Sequence, residues 1–249
     1  MTLTEHPSVR TWKRLEEALN RIEEHIKIRE TERVPSPPPD PEAERARLEA
    51  ERVRRLRAMN IGKIYWDEGF DTFNAYTPEL ERHLGTARNF AANPKGKLVM
   101  LGNNGTGKTL LATSVLKETG GVIYTACEIG VRLRKAYNGD GREWELLDEL
   151  CNAPLLVVDE IGRTKGSKFE ADWLSHVINR RHEDGLPVVF VSNCHFKNNC
   201  AEGGCTKCLE NFLDNDTTSR AAEDGIVMKF TGGDYRIKTR KARAEKGAL

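Results

Sequence analysis

Five short apolar runs punctuate the chain from residue 97 onwards: Lys97–Leu101 (KLVML), Val122–Ala126 (VIYTA), Leu155–Val158 (LLVV), Val188–Ser192 (VVFVS) and Ile226–Phe230 (IVMKF). They are continuous rather than alternating, as expected for strands covered on both faces. Helical patterns at Lys108–Thr119, Arg142–Cys151 and Phe169–Glu183 separate most of them. Alternating strands and helices predict an α/β fold around a five-stranded parallel sheet with right-handed crossovers. The sequence contains no internal repeat.

The first sixty residues have a different texture. Trp12, Leu15, Leu19, Ile22 and Ile26 recur at 3-4-3-4 spacing among Glu, Arg and Lys. That is a coiled-coil-like seam on a helix of about seven turns, which either packs on its own domain or docks on a partner protein. The stretch Pro35-Ser36-Pro37-Pro38-Pro39-Asp40-Pro41 ends it as a stiff spacer. Glu42 to Met59 reads as a second helix with six Arg and four Glu, solvated or serving as a connector. The expected organisation is therefore a helical partner-binding region over 1–60, with its linker at 35–41, and an α/β domain over 61–249. The latter contains a Cys-rich insertion at 194–208 and a basic tail at 236–249.

Composition agrees with one globular domain plus a polar appendage. Of 249 residues, 38% are hydrophobic and 31% charged, below the ~45–50% apolar share of a typical domain. No run approaches the ~18 apolar residues of a membrane span, and the N-terminus lacks an apolar signal region, so a cytoplasmic protein without a membrane partner is expected. The 39 basic and 38 acidic residues leave a net charge of +1, which excludes a uniformly basic coat but not a local patch. Six of the last fourteen residues, Arg236, Lys238, Arg240, Lys241, Arg243 and Lys246, form such a patch. It is either a solvated tail or an arm that contacts nucleic-acid phosphates.

The strongest chemical signal is Gly102-Asn103-Asn104-Gly105-Thr106-Gly107-Lys108-Thr109, which fits G-x-x-x-x-G-K-[ST] between a strand and a helix. Its glycines allow a tight turn that aims backbone N–H groups at phosphate oxygens, and the following helix adds its positive end. Lys108 is expected on the β- and γ-phosphates of ATP, and Thr109 on Mg²⁺. A second signal is Leu155-Leu156-Val157-Val158-Asp159-Glu160, an apolar strand ending in two acids. Asp159 is expected to hold Mg²⁺, and Glu160 to orient and polarise the attacking water. Asn193, directly after Val188–Ser192, reaches the γ-phosphate or that water if its strand lies beside the phosphate-loop strand; otherwise it is a turn residue.

From about Phe70 to Arg236 the chain resembles the AAA+ ATPases of the bacterial helicase-loader group (DnaC-type) and the related transposition helper ATPases (IstB-type). The likeness rests on Gly102–Thr109, Val157-Val158-Asp159-Glu160-Ile161-Gly162, and Val177–Pro187 leading into Ser192-Asn193. It extends to Thr218-Ser219-Arg220 and Asp234-Tyr235-Arg236. The resemblance implies that Asn193 is the first sensor of nucleotide, Arg220 a finger that completes a neighbouring subunit's site, and Arg236 the second sensor. It implies ATP hydrolysis in an ATP-dependent oligomer. It further implies loading of a replicative helicase onto DNA, expected to be single-stranded, with the N-terminal helices gripping the helicase. A transposase client, or a nucleotide-gated DNA-binding scaffold with little turnover, is the alternative.

The sequence departs from that family pattern between Cys194 and Cys208. Cys194, Cys200, Cys205 and Cys208 have the spacing C-x5-C-x4-C-x2-C, short enough to wrap one structural Zn²⁺. His195 can replace Cys194 as a ligand, and a cluster of reduced thiols is the alternative reading. Cys127 and Cys151 read as small buried residues.

Overall fold

The structure, a computed structural model, describes residues 15–24, 27, 40–136, 143–162, 168–196, 200, 208–213, 218–219 and 225–235. The chain divides into two compact units, Met1–Ala50 and Glu51–Leu249. In the first unit, residues 15–24 form helix α1, and Leu15, Leu19 and Ile22 of the seam are each more than half exposed. Trp12 and Ile26 lie outside the described residues, as do residues 35–39 of the proline stretch. Helix α2 spans Pro41–Ala58.

In the second unit the five strands form where the apolar runs predict them: β1 (Lys97–Gly102), β2 (Val122–Thr125), β3 (Leu156–Ile161), β4 (Val188–Ser192) and β5 (Gly225–Phe230). All are parallel, in the order β2-β3-β4-β1-β5. The sheet is covered on both faces, which is why the central strands tolerate no polar alternation. Leu98 and Met100 point into one core with α3 (Pro78–Ala92) and α4 (Lys108–Thr119). Val99 and Leu101 point into the other, with α5 (Ala126–Lys135), α6 (Glu143–Asn152) and α7 (Lys168–Glu183).

Two helix starts escape the periodicity. The run VIYTA stops at Thr125 because that residue caps α5. Its hydroxyl accepts the Glu128 N–H at 3.0 Å, and the Glu128 carboxylate accepts the Thr125 N–H at 2.8 Å. The Thr77 hydroxyl likewise accepts an N–H at the start of α3, with Pro78 at the first helical position. The end of the charged second helix is not solvated. Leu56, Met59 and Ile61 are buried, and Asn60 takes the left-handed conformation (φ 59°) that closes the helix with Ile61 N–H bonded to Leu56 O. Cys151 is buried as expected, whereas Cys127, in the first turn of α5, is exposed.

Among the described residues, the most heavily buried charged side chain is Arg181 on α7, with no exposed surface. Its guanidinium donates to the carbonyls of Leu150 and Cys151 at the end of α6, to Ala153, and to Pro187 at the start of β4. The last carbonyls of a helix have no intrahelical donor and carry its negative pole, so a cation there satisfies both. Burial lowers its pKa to about 10, which leaves it charged at neutral pH. Arg181→Met should lower the unfolding free energy by on the order of 3–5 kcal/mol in urea titration, because each orphaned carbonyl costs about 1–3 kcal/mol and entering water recovers part. Arg181→Lys, a point donor, should recover only part of that loss.

A second packed base links α3 to β5. His83 lies on the Phe230 ring at 4.3 Å, and its Nδ1 is buried without a partner among the described residues. Burial pushes the imidazole below its ordinary 6.5; the Glu79 carboxylate opposes this and Arg82 reinforces it. As pH falls through 6.5 the unfolded chain binds the proton first, so stability present above that value is lost below it. The urea midpoint should therefore drop between about pH 7.5 and about pH 5.5, and drop less in His83→Phe.

Candidate functional site

The strand order decides what meets what. β1 pairs with β4, Leu101 opposite Ser192, and β4 pairs with β3, Ser192 opposite Ile161. The condition on Asn193 is therefore met: its strand is the immediate neighbour of the phosphate-loop strand. Residues 104–109, Asp159-Glu160 and Asn193 leave the same carboxyl edge of the sheet, where open α/β sheets bind ligands. They line one cavity of about 510 Å³, within the usual range for a small-ligand site.

The loop after β1 is held by close approaches that only glycine permits. Gly107 caps α4 with φ 93°, and a Cβ there would lie 2.6 Å from the Phe73 ring. Gly105 has φ 69°, and a Cβ would overlap the Asp234 carboxylate. Thr106 tightens the turn by donating to Asn103 O at 2.9 Å. Lys108 is buried, and its ammonium donates to Gly102 O at 2.8 Å and Asn103 O at 2.5 Å. An anionic phosphate oxygen entering the loop would offer that ammonium a charge-assisted bond in place of a neutral one. The first N–H groups of α4, which have no acceptor within the helix, face the same space.

β3 carries the acids on an irregular backbone. Its register against β4 shifts between Val158 and Ile161, and Glu160 has φ 55°, a left-handed conformation that costs a non-glycine residue about 1–3 kcal/mol. Such bulges turn a side chain away from the direction that regular pleating would give it. Asp159 is buried; it accepts the Glu160 N–H at 2.7 Å and the Thr109 hydroxyl. Burial pushes its carboxyl above the ordinary aspartate value; those two bonds and the Lys108 charge oppose the shift without cancelling it. Thr109 and Asp159, the two expected Mg²⁺ ligands, are therefore in contact, and their hydroxyl and carboxylate oxygens are the hard donors that Mg²⁺ takes.

Tyr235 aside, the aromatic rim of the cavity goes beyond the motifs. Tyr65, Phe73, Tyr76 and Tyr235 line it, with Leu80 beside them. Tyr76 and Tyr235 stack at 5.6 Å, Asn74 donates to the Tyr235 hydroxyl at 3.1 Å, and the Tyr235 N–H donates to Gly105 O at 2.8 Å. Five aromatics within residues 65–76 are the signal that the sequence offers for it. Arg220 and Arg236 lie outside the described residues.

The cysteine cluster differs from the expected four-thiolate set. Burial alternates after β4: Ser192 and Cys194 are buried, Asn193 is exposed and His195 half-buried. Cys194 Sγ consequently lies 3.9 Å from Ile161 O, beside Gly162, and His195 takes its place with Cys200 and Cys208. Cys205 lies outside the described residues.

The model of the family described as IstB-like ATP binding protein matches residues 42–242. The replicative helicase loader DnaC of Escherichia coli (strain K12) is 27% identical over 162 residues, 58% of this chain and 66% of that protein. The alignment thus spans just under two thirds of this relative's length. DnaC of Buchnera aphidicola subsp. Baizongia pistaciae is 27% identical over 172 residues, 61% and 70% of the two chains. Among solved structures, a crystal structure of the DnaC helicase loader superposes with TM-score 0.60 at 23% identity, covering 68% of this chain and all of that one. AMPPCP-bound DnaA from Aquifex aeolicus gives TM-score 0.55 at 16% identity, covering 73% and 56%. These likenesses show the fold, that of AAA+ P-loop proteins. Matched along four fifths of its length and built on that fold, the chain belongs to the family of IstB-like ATP binding proteins.

Proposed function

We propose that the protein is a Mg²⁺-dependent ATPase that loads a replicative helicase onto single-stranded DNA, acting in the cytoplasm as an ATP-dependent oligomer. The observation that carries this reading is the convergence of Lys108, Thr109, Asp159, Glu160 and Asn193 on one cavity. Gly102–Thr109 wraps the phosphates, and Thr109 and Asp159 would hold Mg²⁺, whose positive charge would offset that of the phosphate oxygens. Glu160 accepts the proton of the attacking water, and Asn193 senses the γ-phosphate. Arg220 from a neighbour and Arg236 from the same chain add positive charge as the bond to the leaving phosphate breaks.

The helicase client is drawn from the DnaC relatives, and the segment 1–60 is assigned to grip it. A second reading, a helper ATPase for a transposase, is favoured by the IstB-like family match over residues 42–242. Among the described residues no helix is long and apolar enough to cross a membrane.

Glu160→Gln should retain ATP binding and lose about 10²–10⁴-fold in kcat, as expected when a general base is removed. Lys108→Ala should lose nucleotide binding itself, read with a fluorescent ATP analogue. A protein with Glu160→Gln that turns over ATP at the original rate would overturn the hydrolytic assignment. Co-purification with candidate helicases, with and without ATP, separates the two clients: retention of a helicase supports loading, and retention of a transposase supports the helper role. If Arg220 acts in trans, mixing Arg220→Ala with Glu160→Gln protein, which still binds ATP, should restore turnover that neither has alone. Active sites on Arg220→Ala subunits would then receive an intact arginine from their neighbours.

A further inference from the structure

We propose that His195, Cys200 and Cys208 hold a structural Zn²⁺ that ties the segment leaving β4 to the turn at Cys208–Leu213, and that Cys194 takes no part in it. The Nε2 or Nδ1 of His195 and the two sulfurs all lie within 4.8 Å of one another. The Cys208 Sγ to His195 Nε2 distance is 3.7 Å. Zn–S and Zn–N bonds of about 2.3 and 2.0–2.1 Å at tetrahedral angles give a sulfur–nitrogen edge of about 3.6 Å, so the pair already has the span of two vertices around zinc. Two sulfurs and an imidazole are a soft donor set suited to zinc, and they offer Mg²⁺ or Ca²⁺ none of the oxygens those ions require.

The backbone brings the donors together independently of any ion. His195 and Cys208 form a parallel bridge, and the Leu209 N–H donates to His195 O at 2.8 Å. Phe196, Cys208, Leu209 and Leu213 are all buried around it. Such a sheltered setting excludes water and holds ligands in fixed directions, as structural metal sites require.

The alternation of burial after β4 gives the site its consequence. His195 is two residues beyond Asn193, so an ion at His195 fixes the chain that carries Asn193 at the nucleotide cavity. The Cys194 sulfur lies beside Ile161 O, apart from those three donors.

The test is metal analysis of the full chain purified without chelators, with cobalt substitution as a second readout. About one zinc per chain is expected, and the cobalt form should show thiolate charge-transfer and tetrahedral d–d bands. Cys194→Ser should keep both. His195→Ala and Cys208→Ser should bind zinc at least tenfold more weakly in competition with a chromogenic chelator, and His195→Cys, which restores a donor, should recover it. Recovery by His195→Cys separates lost ligation from a general folding defect. Protein that takes up neither zinc nor cobalt would overturn the proposal and leave a thiol–imidazole hydrogen bond. Equal loss of metal in Cys194→Ser and Cys208→Ser would overturn the donor assignment. Because the readouts are metal content and spectrum, they stand apart from whether the protein hydrolyses ATP.

Discussion

The parallel pairing of β1 with β4 is the constraint on which the site rests. Lys97 faces Val188 and Leu101 faces Ser192, so strands far apart in sequence end at the same height. Without that register the phosphate loop and Asn193 would not open into one cavity. Closing so long a loop costs chain entropy, and only burial on both faces offsets it. Leu98, Val99, Met100, Val189, Phe190 and Val191 are each buried to within a few per cent, which supplies that burial. Arg181 bonds the Pro187 carbonyl immediately before β4 and the end of α6 before β3. One guanidinium thereby fixes where both neighbouring strands begin.

The cavity is also closed from the side, by segments that flank the sheet in sequence. Phe73 packs against Gly107, Asp234 against Gly105, and Tyr76 against Tyr235. Thr231 after β5 bonds the Glu79 carboxylate on α3 through both its N–H and its hydroxyl. The segments before β1 and after β5 are thus joined over the loop, and motion of either would be felt at the glycines.

The sheet is legible in the sequence because a strand covered on both faces must be apolar throughout; β1 to β4 satisfy this with few interruptions, whereas edge strand β5 is buried only at Met228 and Phe230. The phosphate loop is legible because its spacing follows from backbone geometry. Helix α5 is not, since Ala126 in VIYTA extends the apolar pattern past Thr125, which forms a capping box with Glu128. The capping pair is present in the sequence but carries no weight against periodicity. The docking of the end of α2 is hidden by its arginines. Arg52 bonds Trp66 O and Asp67, and Arg55 bonds Lys117 O, so residues that read as a solvated face serve as anchors. The orientation of Cys194 depends on which way Ser192 points, which sequence spacing does not carry.

The left-handed backbone of Glu160 makes the site a standing burden on the fold. Glycine or asparagine would occupy φ 55° with less strain, while a glutamate there is stable only because the surrounding sheet enforces it. Selection for thermostability alone would therefore push position 160 towards those residues and erase the carboxylate. A stabilised descendant of this protein would be the better folded for having lost the acid proposed to act on the attacking water.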